Sequence, residues 1–199
     1  MIAITVADDL QKCERLRQSL ELNGWNYHFI RSEWRGFGTK LIRLKEYLET
    51  TDIDRFVFVD GYDVICLGNP SEMPETCIGT EINCWPDADK ASLFPQPETH
   101  YKYPNSGCYT MEKDLFMKLF NDTPPNFQDD DQRWMTDMAL KYSIKLDYNR
   151  ELVQNTCGML PSCGSMQDGR FITDIGTKPI FIHGNGKGDL TPYEPLRTT

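Results

Sequence analysis

The stretch Phe56-Val57-Phe58-Val59-Asp60-Gly61-Tyr62-Asp63 constrains this chain more than any other. Four apolar residues in a row read as a strand buried on both faces, as in the middle of an α/β sheet. The run stops at two carboxylates three residues apart, around a glycine that permits a tight turn. Open α/β sheets bind ligands in the crevice outside the carboxyl ends of their strands. Paired carboxylates there supply hard oxygen ligands for Mg²⁺ or Mn²⁺, and through such an ion a hold on phosphate. Asp and Gly are also ordinary turn residues. From this stretch alone, a metal site and a plain turn both stand.

The rest of the chain narrows the choice. Its 199 residues, 26% charged and 12% aromatic, suffice for a substantial core and are expected to form a single domain over 1–199. A net charge of −9 argues against broad, sequence-independent binding of nucleic acid, which needs basic surface. One local basic segment stands out, with Arg31, Arg35, Lys40, Arg43 and Lys45 against Glu33. Met1 to Val6 lacks a basic leader and runs into Asp8-Asp9, so no signal peptide is expected. Nothing approaches the roughly 18 apolar residues of a membrane span. A cytoplasmic protein is the expectation, in the host cytoplasm if the chain is viral. Seven cysteines without a Cys-x-x-Cys pair suit a reducing compartment. Cys66, Cys84 and Cys108 lie in strand-like stretches as small buried thiols. Cys157 and Cys163 flank a short loop, where pairing, metal binding and neither are all open.

Strands and helices alternate along the chain. Strands are predicted over Met1–Ala7, Trp25–Ile30, Phe56–Val59, Cys77–Trp85, from the loop at Tyr103 to Met111, Ile144–Leu146 and Lys178–Ile182. Helices are predicted over Leu10–Leu22 with Asp8-Asp9 as cap, over Thr39–Glu49, near Glu72, over Asp114–Phe120, and from Asp129 to Lys141. Asp87 to Tyr103 reads as a polar loop of functional length, and Gln154-Asn155 as a loop. The pattern is that of a doubly wound α/β fold. Trp34-Arg35-Gly36-Phe37-Gly38-Thr39-Lys40 feeds the second helix and offers an anion seat at its N-terminus, although it matches neither a P-loop nor a dinucleotide fingerprint. Asp129-Asp130-Asp131 opens a later helix with more carboxylates than capping requires. His183 ends the last strand and enters Gly184-Asn185-Gly186-Lys187-Gly188, which reads as a turn or as a metal ligand beside a glycine loop.

Placed together at one sheet edge, these elements make an enzyme site for a nucleotide-activated donor. Asp60, Asp63 and His183 would hold a hard divalent cation, and glycines 184, 186 and 188 would let backbone N–H groups approach phosphates. Tyr62 and Trp34 would stack on a base.

The same landmarks resemble, in order, the glycosyltransferase domain of the procollagen lysyl hydroxylases and related short viral and bacterial glycosyltransferases. They are Ile4 to Ala7, Trp34-Arg35-Gly36 with Gly38-Thr39-Lys40 (two loops fused by a deletion), and Phe58 to Val64. Glu81 with Cys84-Trp85-Pro86 follows, then Asn105-Ser106-Gly107, Asp129 to Gln132, Gln154-Asn155 and His183 to Gly186. The resemblance implies an α/β fold of GT-A type, Rossmann-like, with a mixed, mostly parallel sheet flanked by helices. It implies Mn²⁺ (or Mg²⁺) on Asp60, Asp63 and His183, and a UDP-sugar donor, UDP-glucose or UDP-galactose. Tyr62 would lie against uracil, with Thr5 and Val6 lining the nucleotide pocket and Trp34 and Lys40 near the diphosphate or sugar. Gly184, Gly186 and Lys187 would contact phosphate. Glu81, Trp85 and Asn105 would face sugar and acceptor, with Asp130 and Asp131 at the reaction centre.

Two departures carry expectations of their own. Lys187 stands where the family usually has proline, and Cys108 replaces a glycine, which is expected to crowd the donor sugar. The acceptor is left open among a glycan, a protein hydroxyl and a modified base. The rival readings are transfer to a hydroxymethylated nucleic-acid base, a non-catalytic UDP-sugar or metal-binding module, and a nucleotidyltransferase.

Overall fold

The computed structural model describes residues 1–194. Five strands form the main sheet: β1 (Ile2–Ala7), β2 (Tyr27–Arg31), β3 (Arg55–Val59), β5 (Cys77–Glu81) and β6 (Tyr103–Glu112), in the order β2-β1-β3-β6-β5. β1 pairs in parallel with β2 and β3, whereas β6 runs antiparallel to both β3 and β5. Four strands therefore share one direction and β6 opposes them, the mixed sheet expected of a GT-A fold.

Helices α1 (Glu14–Leu22), α2 (Gly38–Glu49), α3 (Lys113–Asp122) and α4 (Asp131–Tyr142) flank it. The alternation of side chains along β3 explains its unbroken apolar run. Phe56 and Phe58 pack with Leu41, Leu44 and Leu48 of α2, Phe116 of α3 and Trp134 of α4. Val57 and Val59 pack on the other face with Leu16 and Leu20 of α1. Both faces of β3 are dry.

That second face is covered by more than a helix. A three-stranded sheet, order β4-β10-β7, is built from β4 (Val64–Cys66), β7 (Val153–Asn155) and β10 (Phe181–His183). His183 therefore does not end a strand of the main sheet, as a single carboxyl edge would require. It arrives from the second sheet, where β10 runs antiparallel to β4 and parallel to β7. Gln154-Asn155, expected as a loop, lies in buried β7. A hairpin of β8 (Gly164–Gln167) and β9 (Arg170–Thr173) has no counterpart in the sequence reading.

Other boundaries also move. Residues 10–13 form a turn, so α1 starts at Glu14 and Leu10 stays 37% exposed. The N-cap residue is Cys13, and Asp9 accepts instead from the Gln11 N–H at 3.0 Å. β5 ends at Glu81, well short of Trp85, and Ile144–Leu146 contributes only an isolated bridge from Leu146 to Ile78. All seven cysteines are free thiols, Cys157 and Cys163 included. Cys108 is fully buried in the core with Val59 and Val153.

One buried carboxylate ties the second sheet to the first. Asp147 accepts from the backbone N–H groups of Glu151 (2.8 Å), Leu152 (2.9 Å) and Val153 (3.1 Å), while its own N–H donates to Ile78 in β5. Asp147→Ala leaves buried donors without acceptors, and is expected to destabilise the protein by about 3 kcal/mol in urea denaturation. A loss below about 1 kcal/mol would contradict this role.

Candidate active site

The turn after β3 brings its two carboxylates to the junction of the sheets. The Asp60 N–H donates to the Gly107 carbonyl of β6 at 2.8 Å. Asp63 directly precedes β4, whose Val64 pairs with His183, and the Gly184 N–H donates to the Asp63 carbonyl at 2.7 Å. One ligand atom each from Asp60, Asp63 and His183 lie within 4.8 Å of one another. His183 Nε2 is 3.7 Å from Asp60 Oδ2 and 3.5 Å from Asp63 Oδ2. Those gaps are long for hydrogen bonds. They suit ligands of one octahedral ion, whose bonds of about 2.1 Å put neighbouring donor atoms about 3.0 Å apart and opposite ones about 4.2 Å apart.

The imidazole is held by packing. Its Nδ1 is buried without a hydrogen-bond partner. A Cβ placed on Gly107 would meet His183 Cε1 at 2.2 Å and Asp60 Oδ2 at 2.8 Å. Only glycine permits this approach. Gly107→Ala is therefore expected to displace the ring and weaken Mn²⁺ binding about tenfold or more in an EPR titration. Unchanged affinity would mean that the three side chains do not share an ion.

Lys40, in the first turn of α2, adds the fourth charge. Its Nζ lies 2.6 Å from Asp60 Oδ1 and 3.1 Å from Asp131 Oδ2. Burial works against the ammonium, but Asp60 and Asp131 outweigh it and hold Lys40 charged. Burial also opposes charge on His183 and Asp63. The two aspartates nevertheless raise the His183 imidazole above its ordinary range, and His183 and then Lys40 hold the Asp63 carboxyl below its own. Metal binding at these atoms competes with a proton.

The expected residues sort into three groups. The first, Val6, Trp34, Lys40, Asp60, Tyr62 and Asp63, lines one cavity of about 410 Å³, joined by Asp8, Lys12 and Phe37. Tyr62 is fixed there: its hydroxyl accepts from the Asp9 N–H at 3.0 Å and donates to Asp8. Larger clefts of about 580 and 750 Å³ lie elsewhere, but neither contains an Asp60–His183 type of cluster. Thr5 is fully buried beneath the cavity instead of lining it.

The second group surrounds Glu81. Asn105 is buried and donates to Glu81 at 2.8 Å, and Asp131 is buried beside Ser106, which donates to it at 3.0 Å. The triple aspartate divides its labour. Asp129 accepts from the Asn126 N–H, Asp130 caps α4 by accepting from the Arg133 N–H at 2.8 Å, and Asp131 alone turns inward.

The third group, Trp85, Gly184, Gly186 and Lys187, does not line the Tyr62 cavity. Trp85 is 66% exposed. The N–H groups of Gly184 and Gly188 are already taken, by Asp63 and by the carbonyls of Gly184 and Asn185. Only Gly186, exposed with φ +73°, is left among the three to meet a phosphate, beside exposed Lys187. The start of α2 is no anion seat, since the N–H groups of Gly38, Thr39 and Lys40 donate to carbonyls of Phe127, Gly36 and Phe37. Most of the basic segment is likewise engaged: Arg35 lies over Phe127, Arg43 pairs with Glu46 and Lys45 with Glu49, whereas Arg31 stays exposed.

The sequence reading gave no role in the site to Ser106, Gln132, Asn185 or Asp8, the last being read only as part of a helix cap. The first three sit inside quoted motifs, which was the available signal; Asp8 had none, because its contact to Tyr62 spans 54 positions.

A family model described as the PLOD GT domain matches residues 2–191. An uncharacterised protein of Acanthamoeba polyphaga mimivirus is 30% identical over 174 residues, covering 81% of this chain and 38% of its own length. The multifunctional procollagen lysine hydroxylase and glycosyltransferase of Homo sapiens is 29% identical over 188 residues, covering 79% of this chain and 25% of its own. This chain thus spans well under half the length of these relatives. Likeness to the inositol-1-phosphate CTP transferase from T. maritima is loose, with a TM-score of 0.42 and 11% identity over 73% of this chain and 83% of that one. It decides nothing about the reaction.

Proposed function

The chain belongs to the PLOD GT domain family, and from that premise we propose that it is a glycosyltransferase moving a hexose, glucose or galactose, from a UDP-sugar to an acceptor hydroxyl. The observation that carries this reading is the convergence of Asp60, Asp63 and His183 at the rim of the Tyr62 cavity, with Asp131 one lysine away. Asp60, Asp63 and His183 would hold Mn²⁺, which when bound neutralises charge on the leaving diphosphate.

This chain's own groups do the rest. Tyr62, locked by Asp8 and Asp9, offers a ring on which uracil stacks, and Val6 closes the pocket floor. Lys40 brings a fixed positive charge to the donor, and Gly186 and Lys187 approach its phosphates from the other sheet. Asp131, acceptor-only when ionised, takes the proton of the attacking hydroxyl or stabilises positive charge on the sugar. The acceptor is a glycan or a protein hydroxyl. A nucleic-acid base is disfavoured by a net charge of −9 and a basic segment most of which is already paired or stacked within the protein. Among the described residues no helix is long and apolar enough to cross a membrane.

Calorimetric titration with UDP tests the donor site: binding is expected with Mn²⁺ and absent in EDTA. Equal binding in both would remove the metal from the reading. Lys40→Met leaves Asp60 and Asp131 without their shared counter-charge, and is expected to destabilise the protein in EDTA by about 3 kcal/mol. Saturating Mn²⁺ is expected to restore part of that stability in urea denaturation. An equal loss in both conditions would contradict a shared site for ion and lysine.

A further inference from the structure

Glu81 was expected to face sugar and acceptor, yet its carboxylate is already engaged inside the protein. It is 5% exposed at the end of β5. Oε1 accepts from the side-chain amides of Asn105 at 2.8 Å and Gln132 at 2.5 Å, and Oε2 from that of Asn185 at 3.2 Å. These three amides come from β6, from α4 and from the loop after β10. Every one of these contacts is a donor into Glu81, which fits a carboxylate; burial pushes the carboxyl above its ordinary range, and the Asn105 and Gln132 amides oppose that rise.

An amide is polar at both ends, so fixing its NH₂ fixes its carbonyl. The Asn105 carbonyl accepts from the Gly107 N–H at 3.0 Å, and Gly107 in turn packs on His183 and accepts from the Asp60 N–H. The Gln132 carbonyl accepts from the Ser106 N–H at 3.1 Å, and the Ser106 hydroxyl donates to Asp131. The Asn185 carbonyl accepts from the Cys157 N–H at 2.9 Å, two residues after β7. Glu81 stands at the centre of three relays that end on the candidate metal ligands, on Asp131 and, through Asn185 of the glycine loop, on Cys157.

We propose that Glu81 is the positioning residue of this site, its charge setting the direction of three amides and through them the geometry of both the Asp60–Asp63–His183 cluster and Asp131. The proposal rests on the glycosyltransferase reading for its catalytic consequence, but its structural half stands on Mn²⁺ binding alone.

The test compares Glu81→Gln with the exchange Glu81→Gln/Gln132→Glu, by EPR titration of Mn²⁺ and by steady-state UDP release. In Glu81→Gln an amide faces three amide NH₂ groups. About tenfold weaker Mn²⁺ binding is expected, with a kcat loss of about a hundredfold that exceeds any change in KM. The exchange puts a carboxylate back across the 2.5 Å contact, and is expected to recover at least half of each loss on a logarithmic scale. Unchanged Mn²⁺ affinity in Glu81→Gln, or no recovery in the exchange, overturns the proposal, the latter pointing to direct contact between Glu81 and substrate. If Glu81→Gln fails to fold, the exchange alone decides: it must fold and bind Mn²⁺ within about threefold of wild type, and failure of either overturns the proposal. If wild type releases no UDP from any donor while Glu81→Gln still weakens Mn²⁺ binding and the exchange restores it, the positioning role stands and the reaction is misassigned.

Discussion

Asp131→Ala is expected to bind UDP in the presence of Mn²⁺ within about threefold of wild type, yet to turn over about a thousandfold more slowly. The expectation follows from the way three adjacent aspartates are used. Asp129 closes its own loop and Asp130 caps α4, whereas Asp131 is buried and held by Lys40 and Ser106. It is not one of the three clustered ligands, so its removal leaves ion and nucleotide contacts in place. Lys40 keeps Asp60 as its partner at 2.6 Å. Asp130→Ala, in contrast, removes a helix cap, and is expected to cost about 1 kcal/mol of stability with turnover little changed. Steady-state kinetics on the two variants separates these outcomes. Full activity in Asp131→Ala would remove it from the chemistry, and a larger kinetic loss in Asp130→Ala would exchange their roles.

Asp63→Ala carries the other large effect. Mn²⁺-dependent UDP binding is expected to fall by about a hundredfold or more in calorimetry, and turnover with it. Asp63 lies close to His183 through both backbone and side chain, with its carbonyl accepting from Gly184 and its carboxylate 3.5 Å from Nε2. Alanine keeps the first contact and deletes the second, so the fold is expected to survive while one ligand is lost. With one fewer carboxylate facing it, the His183 imidazole is expected to lose part of the rise in its pKa, since Asp63 is the stronger of the two causes. The shift is readable by NMR titration of the metal-free protein. An unmoved His183 resonance would show that the pair is not in contact in solution.

The main sheet was legible because its signals are local. The apolar run of β3 and the Leu41–Leu44–Leu48 stripe of α2 each act within a few residues. Of the second sheet only the region of β10 was expected as a strand, over Lys178–Ile182, and β4, β7 and β10 are three residues each. Strands that short carry no periodicity, and they exist only because each completes its neighbour's hydrogen bonds. His183 was expected at the carboxyl edge of the main sheet and lies in the second sheet instead. The anion seat at α2 failed on a contact that sequence cannot show: the residue 126–128 loop packs so closely on Gly36 and Gly38 that its carbonyls leave no room even for a Cβ.

The site was legible by residue type and less so by role. Asp60, Asp63, His183, Lys40 and Asp131 do meet. Glu81 and Asn105 were assigned to sugar and acceptor by resemblance, and the structure buries both in a network of amides and a carboxylate. Their amide–carboxylate network spans 24 to 104 positions, a range at which only the fold reveals partners.

The proposed reaction of this site is transfer of a hexose from a UDP-sugar with the help of a divalent cation. The most direct measurement is UDP release from a panel of UDP-sugars, with Mn²⁺ and with EDTA. Release from UDP-glucose or UDP-galactose, dependent on Mn²⁺ and lost in Asp131→Ala, is the predicted result. No release from any donor, together with no UDP binding by calorimetry, would contradict it.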